Sequence, residues 1–201
     1  MAEAGHAPWA GAALATLGYL LGSIPFGVLL ARWRAGIDPR SGGSGNIGAT
    51  NVARVAGKKL GVLTLFLDAG KGALAVWLAV LLLPGASWAH AGVGLAAFLG
   101  HVFPVWLRFK GGKGVATALG VLGVLVPMAA LAGFAVYALL FVTVRVSSIG
   151  SLTGGISTLA AAWLLPGPRP YAALATALFL LMLYTHRGNI QRIVRRTESR
   201  L

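Results

Sequence analysis

Long apolar runs, three of them followed by a short segment of glycine and cations, limit this chain to a membrane-spanning helical fold. A helix needs about 20 apolar residues to cross the ~30 Å hydrocarbon core. Residues 8–31, 60–83 and 88–107 reach that length. In hydrocarbon every peptide N–H and C=O must be bonded within the chain, so runs of this length are read as helices. Only 10% of the residues are charged and 57% are hydrophobic, against about 25% charged in a soluble domain. Most of the surface therefore faces lipid. The 201 residues are read as one integral-membrane domain.

Further along, residues 115–144 are too long for one untilted span and short for two, with Pro127 near the middle. Two helices meeting at Pro127, the first of them short, fit that length. Residues 149–165 and 171–185 supply two more runs, and a basic tail follows. Pro25 is placed to kink the first run. The expected fold is an all-α polytopic membrane protein of seven transmembrane helices, some short. The loops 32–59, 108–114 and 145–151 and the tail then share one side and hold 15 of the 17 Lys and Arg residues. By the positive-inside rule that side is cytoplasmic, so the N-terminus is outside and the C-terminus inside. A five-helix reading, with 115–144 fused, would separate the polar segments between two faces. No basic stretch precedes the first run, which reads as a retained helix and not a cleaved signal. There is no sequence repeat of the kind that builds inverted-repeat transporters.

The net charge of +13 raises nucleic acid as a partner, but the membrane-length runs turn it into orientation and attraction to anionic lipid heads. The absence of cysteine removes disulfides, thiolate metal sites and cysteine nucleophiles. Four acidic residues, Glu3, Asp38, Asp68 and Glu198, do not make a carboxylate-rich metal site, and none is expected.

Three polar segments carry the chemistry. They are Ser44-Gly45-Asn46-Ile47-Gly48-Ala49-Thr50-Asn51 with Arg54, then Phe109-Lys110-Gly111-Gly112-Lys113-Gly114, then His186-Arg187-Gly188-Asn189. Glycine lets backbone N–H groups turn toward an anion, and Lys or Arg supplies charge, so such mixtures suit phosphate. Gly43-x-Gly45-x-x-Gly48 imitates a dinucleotide fingerprint, with Asp68 twenty residues on. That fingerprint needs a preceding strand, and an apolar helix and a basic loop precede it here. Gly111-Gly112-Lys113-Gly114 lacks the spacing and the Ser or Thr of a Walker A loop. Asp68 and Lys71 lie three apart on one helix face, as a costly intramembrane pair that is functional or mutually neutralising. His101 sits at a helix end before Phe103-Pro104, where capping or packing competes with catalysis. His6 and His90 fall at the outer face and suggest no chemistry. His186 and Asn189 share a face if helical.

These motifs together resemble the integral-membrane acyl-phosphate:glycerol-3-phosphate acyltransferases of bacteria, the PlsY type. The likeness starts at Tyr19-Leu20-Leu21-Gly22-Ser23-Ile24-Pro25-Phe26-Gly27 and runs through Ser44 to Arg54 and Asp68-x-x-Lys71-Gly72. It continues in Gly100-His101-Val102-Phe103-Pro104-Val105 and Phe109 to Thr117, and closes with His186 to Arg192 and Glu198. One departure is Arg196, where the family's closing motif usually has glycine.

The resemblance implies a seven-helix enzyme of the bacterial cytoplasmic membrane, with its site at the cytoplasmic face. It would move a fatty acyl group from acyl phosphate to the sn-1 hydroxyl of glycerol 3-phosphate, the first acylation of phospholipid synthesis. The products are lysophosphatidic acid and inorganic phosphate. No cofactor is implied, because an acyl phosphate is already activated. An acyl-phosphate-producing enzyme is the implied functional partner. Carried over by motif, Ser44, Arg54, Lys113 and Ser151 look like phosphate ligands. His186 and Asn189 look like the groups at the reacting hydroxyl and carbonyl. Asn46, Thr50, Asn51, Gly111, Gly112 and Gly114 look like supporting loop residues, with Asp68, Lys71 and His101 behind them. Two proton routes stay open: His186 as base, or a substrate phosphate oxygen as base with His186 orienting. A transporter of a phosphorylated small molecule is the alternative reading.

Overall fold

The structure is a computed structural model and describes residues 8–200. Glu3 and His6 lie outside the described residues. The described chain is helical: α1 Pro8–Ser23, α2 Phe26–Ala35, α3 Ala49–Ala56, α4 Lys58–Leu82, α5 Ser87–Val102, α6 Val115–Leu125, α7 Pro127–Thr143, α8 Ser147–Leu164, α9 Arg169–Thr185 and α10 Arg187–Val194. The segments Trp9–Ala35, Lys58–Leu82 and Ser87–Leu107 are long and apolar enough to cross a membrane, and α6, α7 and α9 are shorter apolar helices.

Proline sets the breaks. Pro25 has no N–H and disfavours helix at the residue before it, so the first run breaks between α1 and α2 instead of merely kinking. The freed Ile24 carbonyl accepts from Lys71 Nζ at 2.7 Å. Pro127 opens α7 directly after α6, as the length of the 115–144 stretch predicts. The third run extends to 107 by sequence, yet α5 stops at Val102 because Pro104 cannot continue it, and a 3-10 turn covers Val105–Leu107. Two helices escape the apolar-run reading, α3 inside the 32–59 segment and α10 in the tail. Both are short and two-faced, so neither raises a hydropathy signal.

Between lipid-facing helices there is no hydrophobic force to gain, and small residues that let backbones touch do the work. A Cβ on Gly22 would overlap the Ala97 carbonyl, and one on Gly100 the Tyr19 carbonyl, so α1 and α5 meet backbone to backbone. Gly120 meets the Ala69 carbonyl in the same way between α6 and α4. The core of Val76, Val93, Phe98, Val121 and Leu178 lies among α4, α5, α6 and α9. At one end of the bundle His90 is buried, its Nε2 2.8 Å from the Leu83 carbonyl and its Nδ1 2.8 Å from the Tyr171 hydroxyl. A carbonyl only accepts, so Nε2 donates and Nδ1 accepts. His90 is a helix-end tie. The three polar segments lie at the other end.

Candidate active site

The first polar segment is built around Asn51. Its Nδ2 donates to the carbonyls of Pro39 at 2.7 Å, Asn46 at 2.8 Å and Gly42 at 3.2 Å, and its Oδ1 accepts the Ser44 N–H at 2.8 Å. Asn46 Oδ1 takes the Gly48 N–H at 2.8 Å, a local turn that starts α3. Both asparagines therefore shape the loop, while Ser44, Thr50 and Arg54 present themselves to a cavity.

The second segment lies flat on α5. Gly111 donates to the Val102 carbonyl at 3.0 Å and Gly112 to the His101 carbonyl at 3.1 Å. A Cβ on Gly112 would overlap the His101 ring, and one on Gly114 the Phe98 ring; Gly114 also has φ +82°. This corrects the sequence reading of the glycines. The amides of Gly111 and Gly112 turn back onto α5 and not toward an anion, and Gly111, Gly112 and Gly114 do not line the cavity. Their role is close approach, which seats Lys113 in the cavity wall. Burial lowers the Lys113 ammonium to about 8; nearby Arg192 and Arg54 lower it further and Glu198 opposes them.

The third segment closes the site. His186 ends α9 and precedes α10, and it is buried. Its Nδ1 lies 2.9 Å from the Met182 carbonyl. That oxygen can only accept, so the neutral ring carries its proton on Nδ1 and leaves Nε2 as an acceptor. Burial, then the Lys113 charge, lowers His186 to about 4, against the pull of the Met182 carbonyl and Glu198. Asn189 Nδ2 donates to Glu198 Oε1, which also accepts from Ser148 Oγ at 2.7 Å. Arg192 Nε pairs with Glu198 Oε2 at 2.6 Å. Burial works to raise the Glu198 carboxyl, but these hydrogen bonds from Asn189, Ser148 and Arg192 hold it below the usual carboxylate range.

All six residues expected at phosphate or the reacting atoms, Ser44, Arg54, Lys113, Ser151, His186 and Asn189, line one cavity of about 460 Å³. Asn46, Thr50, Asn51, Asp68 and His101 reach it too, whereas Lys71 is buried beside it. Lys113 and His186 line the same cavity, whereas the five-helix alternative would place them at opposite ends. Sequence reasoning missed Tyr137, Ser147, Ser148, Arg192 and Glu198 as wall residues. Ser147 bonds Thr50 at 3.0 Å and lies 3.4 Å from the Tyr137 hydroxyl. The polar pair Ser147-Ser148, two residues after Arg145, was the available signal. Ser151 Oγ donates to the Ser147 carbonyl at 2.8 Å, leaving its oxygen to face the cavity as an acceptor.

Helix direction adds charge that no side chain carries. The first residues of α3 (Ala49, Thr50), α6 (Val115, Ala116) and α8 (Ser147, Ser148) line the cavity, as do His186 and Asn189 at the start of α10. Helix N-termini expose unbonded N–H groups and a positive dipole end. Those of α3, α6 and α8 meet on one cavity, whereas α10 starts at His186 where α9 ends, so the two dipole ends offset there; three converging N-termini suit an anion. An apolar groove of about 80 Å³ between α6, α7, α8 and α9 adjoins it, and Leu65, Val115, Ala116, Tyr137 and Ser151 line both. A polar, cationic space and an apolar one are thus contiguous.

A family model described as glycerol-3-phosphate acyltransferase matches residues 12–196. A protein named glycerol-3-phosphate acyltransferase from Myxococcus xanthus is 64% identical over 188 residues, 94% of this chain and 98% of its own length. One of the same name from Anaeromyxobacter dehalogenans strain 2CP-C is 54% identical over 95% of this chain and 97% of its own. The fold is similar to crystal structures of PlsY (YgiH), an integral membrane glycerol 3-phosphate acyltransferase. Its glycerol 3-phosphate form superposes with TM-score 0.91 at 42% identity, covering 96% of both chains. Its lysophosphatidic acid form gives TM-score 0.89 at 42% identity, over 96% of this chain and 95% of that one.

Proposed function

The chain belongs to the glycerol-3-phosphate acyltransferase family, and we propose that it moves a fatty acyl group from acyl phosphate to the sn-1 hydroxyl of glycerol 3-phosphate. The observation that carries this reading is the contiguity of a cavity at three helix N-termini with an apolar groove. Two phosphates and an acyl chain have to meet, and this pair of spaces offers both environments. The hydroxyl oxygen attacks the acyl carbonyl carbon, the bond from that carbon to the phosphate oxygen breaks, and inorganic phosphate leaves with lysophosphatidic acid as the other product.

Arg54, Lys113, Ser44 and Ser151 hold the phosphates by charge and hydrogen bonding. One Asn189 amide hydrogen is occupied by Glu198, which leaves the other for the developing oxyanion. His186 Nε2 accepts from the sn-1 hydroxyl and orients it. A histidine lowered to about 4 is a weaker base than a phosphate whose second ionisation lies near 6, so the hydroxyl proton goes to a substrate phosphate oxygen. The gathering of 15 of the 17 Lys and Arg residues on one side supports a site on the cytoplasmic face of a bacterial inner membrane, with seven crossings when α1 and α2 count as one broken helix. An enzyme that makes acyl phosphate supplies the donor.

The test is direct. Purified protein mixed with acyl phosphate and glycerol 3-phosphate should release inorganic phosphate and form lysophosphatidic acid at equal rates. Movement of glycerol 3-phosphate into vesicles with no acyl transfer would replace this reading with a transporter.

A further inference from the structure

Directly behind the Lys113 loop lies a buried ionic cluster that the transfer chemistry does not use. Lys71 Nζ and Asp68 Oδ1 are 2.7 Å apart, and His101 Nδ1 lies 3.6 Å from the same oxygen, with all three side chains at least 96% buried. Lys71 also holds the Ile24 carbonyl at 2.7 Å, where α1 breaks into α2. A buried ion pair gives little stability over apolar residues of the same volume. Within the chain, Asp68 Oδ1 and His101 Nδ1 make no hydrogen bond of good geometry.

The far edge of the same imidazole shows what the cluster is for. His101 Nε2 faces Gly112, and a methyl group on that glycine would overlap it. The backbone of His101 accepts the Gly112 N–H at 3.1 Å and that of Val102 the Gly111 N–H at 3.0 Å. The ring thus lies between the Asp68 carboxylate on one side and the loop backbone on the other. Lys113 is the next residue along. Its place in the cavity is referred, through one glycine and one imidazole, to α4 and to the α1–α2 break.

We propose that Asp68, Lys71 and His101 are positioning residues: the imidazole, braced by Asp68, is the stop against which the 109–114 loop seats, and it sets where the Lys113 ammonium meets phosphate. This deepens the acyltransferase reading, yet the phosphate-binding half of it stands on the geometry alone. It accounts for the glycine at 112 by a contact and not by backbone freedom, and it couples the α1–α2 break to the phosphate site.

The experiment measures inorganic phosphate binding to the full chain in detergent by calorimetry, beside the thermal midpoint and acyl transfer. Gly112→Ala should weaken phosphate binding roughly tenfold or more, as expected for a displaced charge-assisted contact. His101→Ala should weaken it less. The double variant should bind better than Gly112→Ala alone, because removing the ring makes room for the methyl group. A residue that served only the fold would not rescue. Asp68→Asn leaves the buried Lys71 ammonium without its carboxylate and should lower the midpoint as well as the affinity; its affinity, read well below that midpoint, decides the matter if His101→Ala does not fold. Additive losses in the double variant, or wild-type affinity in Asp68→Asn, would overturn the proposal. Wild type that binds phosphate but transfers no acyl group would sink the acyltransferase reading alone, with the rescue still deciding this one.

Discussion

At the scale of single residues the site is tuned by burial. Lys113, lowered to about 8, loses its proton as pH rises through that value, so phosphate affinity should fall above about pH 8. Lys113→Arg should abolish that alkaline limb, because arginine stays charged, and Lys113→Ala should lose about 10- to 150-fold in phosphate affinity at neutral pH, the equivalent of a charged hydrogen bond worth 1.5–3 kcal/mol. Calorimetry across pH 6–10 reads both. His186 at about 4 separates two limbs that would overlap for an unperturbed histidine near 6.5. In kcat/KM a substrate phosphate gives an acidic limb near 6. His186→Ala should keep that limb while turnover drops through lost orientation; a wild-type limb near 4 that disappears in the variant would make His186 the base. Arg196 has φ +58°, a conformation that costs a non-glycine residue about 1–2 kcal/mol and one a glycine takes freely. Arg196→Gly should hold the tail, and Glu198 with it, more firmly, net of the glycine's looser unfolded chain by about 0.5 kcal/mol. Slower proteolysis of the tail is the readout.

Among the elements, length and proline were legible and amphipathic detail was not. The 115–144 stretch announced its own division at Pro127, and α6 and α7 obey it. Pro104 carried the same signal for the end of α5, but the apolar residues 105–107 masked it. α3 and α10 hold the site and were invisible to a hydropathy reading, because eight-residue helices with one polar face look like loop. The glycines of 111–114 were legible as needed, and for the wrong reason, since a sequence does not say which partner a freed amide meets. Asn51 was legible as a loop residue but not as the centre of a loop. Asn51→Ala removes three donated bonds and one accepted, and buried groups left unpaired cost about 1–3 kcal/mol each. The variant should become sensitive to trypsin at Arg40 and lose phosphate affinity, whereas Asn46→Ala, with a single such bond at 2.8 Å, should be milder.

For the whole molecule the gathering of all polar segments at one end agrees with a charge count made without coordinates. Sidedness is tested by labelling, which is clean because the chain contains no cysteine. A reagent that cannot cross the membrane should reach Gly167→Cys, which sits in open space, in intact cells, and Ser199→Cys only after permeabilisation; the reverse pattern would invert the topology. The meeting of three helix starts, those of α3, α6 and α8, at the cavity has a consequence for inheritance. Their positive ends belong to the peptide bond, which every residue but proline supplies alike, so no missense change short of proline can discharge them. Variants at Arg54 or Lys113 should therefore weaken anion capture without erasing it, and an inhibitor that read mainly those backbone amides would leave mutation few ways to escape.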